Sequence, residues 1–135
     1  MRTFTFPLLT GALALAAACG GSSYGGGTTN TPTEPTGTPV MSATVSVQNN
    51  FFEPASVLLA SGGTVTWNWV GSGHSVTATG SPALPASTGA LLKDAPFSLG
   101  PVVFATAGTY QYYCTVHGAA GVYGGGQMTG AIFVR

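Results

Sequence analysis

From Ala43 to the C-terminus, apolar side chains recur at every second position in short bursts. Ala43, Val45 and Val47 alternate with Thr44 and Ser46, and Val65, Trp67 and Trp69 alternate with Thr66 and Asn68. A period of two sends successive side chains to opposite faces of a strand, so each burst predicts a strand with one face turned to a core. By the same rule His74, Val76 and Ala78 share a face, with Ser75, Thr77 and Thr79 opposite. Val102 and Phe104 open a further strand, Tyr110, Tyr112 and Cys114 line up in the next, and Met128, Gly130, Ile132 and Val134 in the last. Gly62-Gly63, Gly71-Ser-Gly73, Gly100-Pro101 and Ala107-Gly108 punctuate these runs as turns. Ser81 to Ala95 holds two prolines and no period; it reads as an irregular connection with room for a short helix. No helical period persists beyond a turn or two. Short strands separated by turns predict an all-β sandwich or barrel.

The first forty residues follow a different pattern. Arg2 is followed by an uncharged run from Thr3 to Ala18 that ends in Leu-Ala-Ala-Ala. That is the build of a secretory signal (residues 1–18), too short for a transmembrane helix. Cys19 comes next, then Gly20-Gly21. Small residues before a cysteine resemble the lipobox of bacterial lipoproteins, which implies cleavage before Cys19 and its acylation. Of the twenty residues from Gly20 to Pro39, seventeen are Gly, Ser, Thr or Pro. Such a run cannot bury enough surface to fold, so 19–39 is expected to be a flexible, lipid-anchored linker. Its root-mean-square span as a free coil would be about 25 Å. The folded domain is then expected over 40–135, exported and facing the periplasm or the cell exterior.

Charge excludes several function classes. Three basic and three acidic residues among 135 give a net charge of zero and no basic patch, so nucleic-acid binding has no support. What remains is a small set of soft and borderline metal donors. The chain has two histidines, His74 and His117, and Cys114 stands three residues before the second. Met128 follows at the start of the last predicted strand. One thiolate, two imidazoles and one thioether form the donor set of a mononuclear blue-copper centre. Zinc would accept the Cys and two His with water, but a thioether suits soft copper better. A Cys19–Cys114 disulfide is not expected, since it would consume the thiolate.

Four segments carry a family resemblance. They are Phe52-Glu-Pro-Ala-Ser-Val57, Gly63-Thr-Val-Thr-Trp67 with Gly73-His-Ser-Val-Thr77, Gly108 to His117, and Gln127-Met-Thr-Gly-Ala-Ile-Phe-Val134. In this order they resemble small cupredoxins of the plastocyanin, amicyanin and azurin type, and the resemblance covers Val40 to Arg135. It implies a Greek-key β-sandwich with one copper per chain. Cys114, His74 and His117 would be the equatorial ligands and Met128 the axial one. Ser75 and Thr115 stand where the family ties its two ligand loops together. One departure is plain: ten residues, five of them glycine, separate His117 from Met128. Most small cupredoxins have a shorter loop here. Gln127 and the Gly73 carbonyl are therefore kept as alternative axial donors.

The expected function is electron transfer outside the cytoplasm by a monomer that docks redox proteins near His117. The uncharged loop Gly118 to Tyr123 would supply an apolar docking patch. Copper delivery or storage is the alternative. An enzyme is not expected, because two histidines cannot furnish a second, substrate-binding copper site. Trp67 and Trp69 are read as core residues, and Tyr110, Tyr112 and Tyr113 as strand packing with a corner hydrogen bond.

Overall fold

The computed structural model describes residues 31–135. The signal, Cys19 and the start of the linker lie outside the described residues. Among the described residues seven strands form the fold: β1 (Val40–Val47), β2 (Phe52–Glu53), β3 (Ser56–Trp69), β4 (Thr77–Thr79), β5 (Phe97–Phe104), β6 (Gly108–Tyr113) and β7 (Thr129–Val134). Hydrogen bonding runs in the order β2-β1-β3-β7-β6-β4, and β5 pairs with β3. The β1–β3 and β3–β7 pairs are parallel; the others are antiparallel. The fold is all-β, as the alternation predicts. Among the described residues there is no helix, so the connection after β4 stays irregular throughout.

β3 organises the sandwich because it belongs to both halves. Its first part, Ser56–Leu59, pairs with β7, and its second, Gly63–Trp69, pairs with β5, while Thr64–Trp69 also pairs with β1. Gly62-Gly63, expected as a turn, is instead a bend inside one continuous strand. A Cβ on Gly63 would lie 2.8 Å from the Ala60 carbonyl oxygen and 2.9 Å from that of Met41, so only glycine lets the strands close at this corner.

The inward faces fill one core. Trp67 is fully buried, with Tyr112 edge-on at 5.4 Å and Phe104 at 6.4 Å between ring centroids. Phe52 packs edge-on against Tyr112 at 4.8 Å, and Trp69 against Phe97 at 4.9 Å. Edge-to-face pairs of this kind contribute about 0.5–1.5 kcal/mol each beyond the area they bury. Tyr110 donates its hydroxyl to the Thr106 carbonyl at 2.7 Å, the expected corner bond. Both tryptophans are core residues, as read from the sequence.

Alternation fails at two places. Every residue of β7 is buried, because the strand is central and Arg135 lies over Phe133 on its outer side. Parity therefore says nothing about Met128. Residues 74–76 are not a strand: His74 makes an isolated bridge to Lys93, and Ser75, expected to face outward, is completely buried.

The end of the expected linker is seated on the domain. Pro32 is buried, and Arg135 Nε donates to Glu34 Oε1 at 3.0 Å within a short ion pair. Proline has little conformational freedom to lose, which makes this run inexpensive to hold in place. The packed chain thus begins upstream of Val40.

Candidate metal centre

Two loops at one end of the sandwich carry the donors. His74 stands between β3 and β4, Cys114 and His117 follow β6, and Met128 immediately precedes β7. The backbone fixes each loop. His74 N–H donates to the Lys93 carbonyl at 3.2 Å, and the His74 carbonyl accepts from Lys93 N–H at 2.8 Å. Trp69 Nε1 donates to the same His74 carbonyl at 3.0 Å, and Gly73 N–H donates to Asp94 Oδ1 at 2.7 Å. Gly73 adopts φ 74°, a left-handed conformation that favours glycine, and so aims His74 inward.

The second loop is closed at its neck. Gly118 N–H donates to the Cys114 carbonyl at 2.8 Å, Met128 N–H to the His117 carbonyl at 2.9 Å, and Cys114 N–H to the Met128 carbonyl at 3.0 Å. Cys114, His117 and Met128 are thereby tied backbone to backbone, although ten residues intervene between the last two.

The side-chain donors of His74, Cys114 and His117 converge. The two Nδ1 atoms are 3.2 Å apart, and Cys114 Sγ lies 3.9 Å from His74 Nδ1 and 3.6 Å from His117 Nδ1. Metal bonds of about 2.0 Å to imidazole and about 2.3 Å to thiolate, opened to a trigonal angle, place donors roughly 3.3–3.8 Å apart. The three edges fit one small cation. Cys114 is fully buried, His74 is 2 % exposed and His117 is half-buried, so one imidazole edge reaches toward solvent.

Protonation favours the same arrangement. His74 Nε2 lies 3.2 Å from Asn49 Oδ1. A carboxamide oxygen only accepts, so the ring proton belongs on Nε2 and Nδ1 keeps its lone pair. Burial lowers the His74 pKa below the ordinary imidazole value; His117 lowers it further, and Asp94 opposes both. Ser75 N–H donates to Cys114 Sγ at 3.5 Å, a backbone contact that helps to orient the sulfur.

Ser75 and Thr115 join the two loops, as expected. Thr115 N–H donates to Ser75 Oγ at 3.0 Å, and the two hydroxyls are 3.2 Å apart. Ser75 Oγ is also 2.9 Å from Thr77 Oγ1, which donates to the Gly89 carbonyl at 2.5 Å. Counting protons orders the chain. Thr77 spends its proton on Gly89, so Ser75 donates to Thr77 and accepts from both Thr115 groups.

Met128 is completely buried at the neck. Gln127 is exposed and lines an open cavity of about 310 Å³ away from the donors, with Tyr123, Gly124 and Thr129. Met128 and Gln127, two of the three expected axial candidates beside the Gly73 carbonyl, thus differ in burial. Tyr123, expected in an exposed docking patch, is buried as well, and only Ala119 and Ala120 of that loop are exposed. Asn49, Thr77 and Asp94 went unnoticed in the sequence. Asn49 lies 25 residues from His74, and no spacing rule connects them.

No family model matches the chain. A plastocyanin from Prochlorothrix hollandica is 35 % identical over 97 residues, covering 64 % of this chain and 73 % of that one. The oxidised plastocyanin of Dryopteris crassirhizoma is 27 % identical in structural alignment, with a TM-score of 0.53, covering 69 % of this chain and all of that one. A Cu(I) amicyanin variant shares the fold at 21 % identity, with a TM-score of 0.51, over 70 % of this chain and 83 % of that one. With a buried thiolate and two imidazoles gathered for one soft cation, on this fold and at this identity, the chain belongs to the cupredoxins, blue copper proteins that bind a single copper.

Proposed function

We propose that this cupredoxin is an extracytoplasmic electron carrier in which His74, Cys114 and His117 hold the copper and Met128 is the axial ligand. The observation that carries the reading is the rigidity of the donor set. Each donor is fixed by hydrogen bonds that need no metal: Lys93 and Asn49 hold His74, Ser75 holds Thr115 beside Cys114, and the neck holds His117 and Met128. A soft thiolate with imidazoles suits both copper oxidation states tolerably, and a scaffold that does not relax keeps the rearrangement between them small.

Electrons would enter and leave through the partly exposed edge of His117. Beside it Val116 is 58 % exposed, and the loops around the site carry exposed Phe51, Val70 and Leu92. This apolar rim is the docking surface for redox proteins. One copper and no further histidines leave no place for a substrate, so the chain acts without catalysing a reaction of its own. The 1–18 signal and lipidation at Cys19, at the head of the 19–39 linker, complete the proposal, with the monomer held near a bacterial membrane.

Delivery or storage is the competing reading. A chelator challenge separates them. Loaded protein should lose copper over hours or longer and should be reduced by ascorbate and reoxidised repeatedly without loss of metal. Exchange within seconds would favour delivery and overturn the carrier reading.

A further inference from the structure

The loop between His117 and Met128 should be hard to hold. Five of its ten residues are glycine, and Gly121, Gly124, Gly125 and Gly126 adopt left-handed φ of 71°, 75°, 61° and 79°. Residues 119–120 and 124–127 are exposed. One side chain in the loop is buried: Tyr123, at 6 % exposure.

We propose that Tyr123 is a positioning residue for the copper ligands, an aromatic pin that holds the glycine loop down and keeps the neck between His117 and Met128 closed. Two closed turns flank it. Val122 N–H donates to the Ala119 carbonyl at 3.2 Å before it, and Gln127 N–H to the Gly124 carbonyl at 3.1 Å after it. The three successive left-handed glycines reverse the chain immediately beyond the ring. No atom lies within 4 Å of a Cβ built on Gly121, Gly124 or Gly126, so backbone conformation and not crowding demands glycine there. The loop is thus two turns hung on one anchor. Tyr123 also lines the 310 Å³ cavity together with Thr31, Pro32, Thr129 and Gly130, which puts it beside the start of β7 and the incoming chain.

The neck needs such an anchor because it is narrow. A Cβ on Gly118 would meet the Met128 carbonyl oxygen at 2.5 Å, so the two backbones touch where both donors are attached. Without a pinned centre, the conformational freedom of five glycines would oppose the hydrogen bonds that close the neck. The ring, and not the hydroxyl, does the holding: the Tyr123 hydroxyl is buried with no hydrogen-bond partner among the described residues, and burial pushes its pKa up to about 12. Phenylalanine should therefore serve as well as tyrosine.

The inference rests on His117 and Met128 being ligands, and the test reads the neck without copper as well as with it. In the full mature chain, amide hydrogen exchange is measured for metal-free wild type, Tyr123→Phe, Tyr123→Leu and Tyr123→Ala. Exchange at the Gly118 and Met128 amides should rise about tenfold or more in the alanine variant, with β1 amides unchanged. The phenylalanine variant should stay within about twofold of wild type. Copper-loaded alanine variant should release metal faster by a similar factor and show an altered EPR spectrum. Unchanged neck exchange in Tyr123→Ala overturns the inference. Should that variant fail to fold, Leu and Phe variants with equal neck exchange overturn it instead. A wild type that binds no copper would sink the functional reading, and the exchange data would still decide the pin.

Discussion

Ser75→Ala is a severe change for so small a substitution. The hydroxyl accepts from the Thr115 amide at 3.0 Å and lies 3.2 Å from the Thr115 hydroxyl and 2.9 Å from that of Thr77. Ser75 is completely buried, so its replacement opens no path for water to the inner groups. Leaving the Thr115 amide unpaired costs about 1–3 kcal/mol, and each lost hydroxyl bond about 1 kcal/mol net. Thr115 is half-buried and water can partly rescue it, which puts the total near 2–3 kcal/mol. For a domain of about 100 residues this lowers the melting temperature by about 10–20 °C. Thr115→Ala is the control. It removes one hydroxyl but keeps the amide bond, so it should cost only about 1 kcal/mol. Thermal melts of both metal-free variants decide the matter. A Ser75→Ala protein that melts within about 2 °C of wild type, or no lower than Thr115→Ala, would refute the claim that the Ser75 hydroxyl ties the two loops together.

Other outcomes follow from the same geometry. His74 has a lowered pKa in the folded chain, so the unfolded chain binds the extra proton first. The metal-free protein should accordingly be stable above the ordinary imidazole pKa of about 6.5 and lose stability as pH falls below it. Urea midpoints at pH 7.5 and 5 test this, and His74→Gln should flatten the difference. Gly130→Ala would drive a Cβ into the Tyr112 ring and hydroxyl, an overpacking that costs about 1–3 kcal/mol. Tyr112→Phe should cost no more than about 1 kcal/mol in the same denaturant titration, because among the described residues the buried hydroxyl it removes makes only a marginal contact with the Trp67 indole. Glu34→Gln should change stability by no more than about 1 kcal/mol, since the Glu34 and Arg135 side chains are 37 % and 44 % exposed. With six charged side chains in the chain, electron transfer to a protein partner should vary little between low and high salt; a steep loss of rate would contradict the apolar docking rim.

The sequence disclosed most where a strand has one wet face and one dry face. Val45 and Val47, Val65 to Trp69, and Tyr110 to Cys114 all alternate for that reason, and their buried sets match the pattern. Alternation vanished in β7, where a central strand covered on both sides buries all six residues. It also misled around Ser75, which is buried by joining two loops and not by packing on a sheet. The donors themselves were legible because the chain has so few histidines and cysteines, and their convergence needed only the order of the loops. Asn49 and Tyr123 were not legible as site residues. Their placement depends on long-range neighbours that leave no period in the chain: one meets a ring 25 positions away, and the other lines a cavity with the incoming N-terminal segment.

The central claim is that Cys114, His74 and His117 form one copper centre. Titrating the mature chain with Cu(II) and recording its visible absorption and EPR spectra tests it most directly. An intense thiolate-to-copper band saturating at one equivalent, bleached by ascorbate and absent in Cys114→Ser, is the result the geometry requires. A colourless wild-type complex, or a band that survives the loss of Cys114, would contradict it.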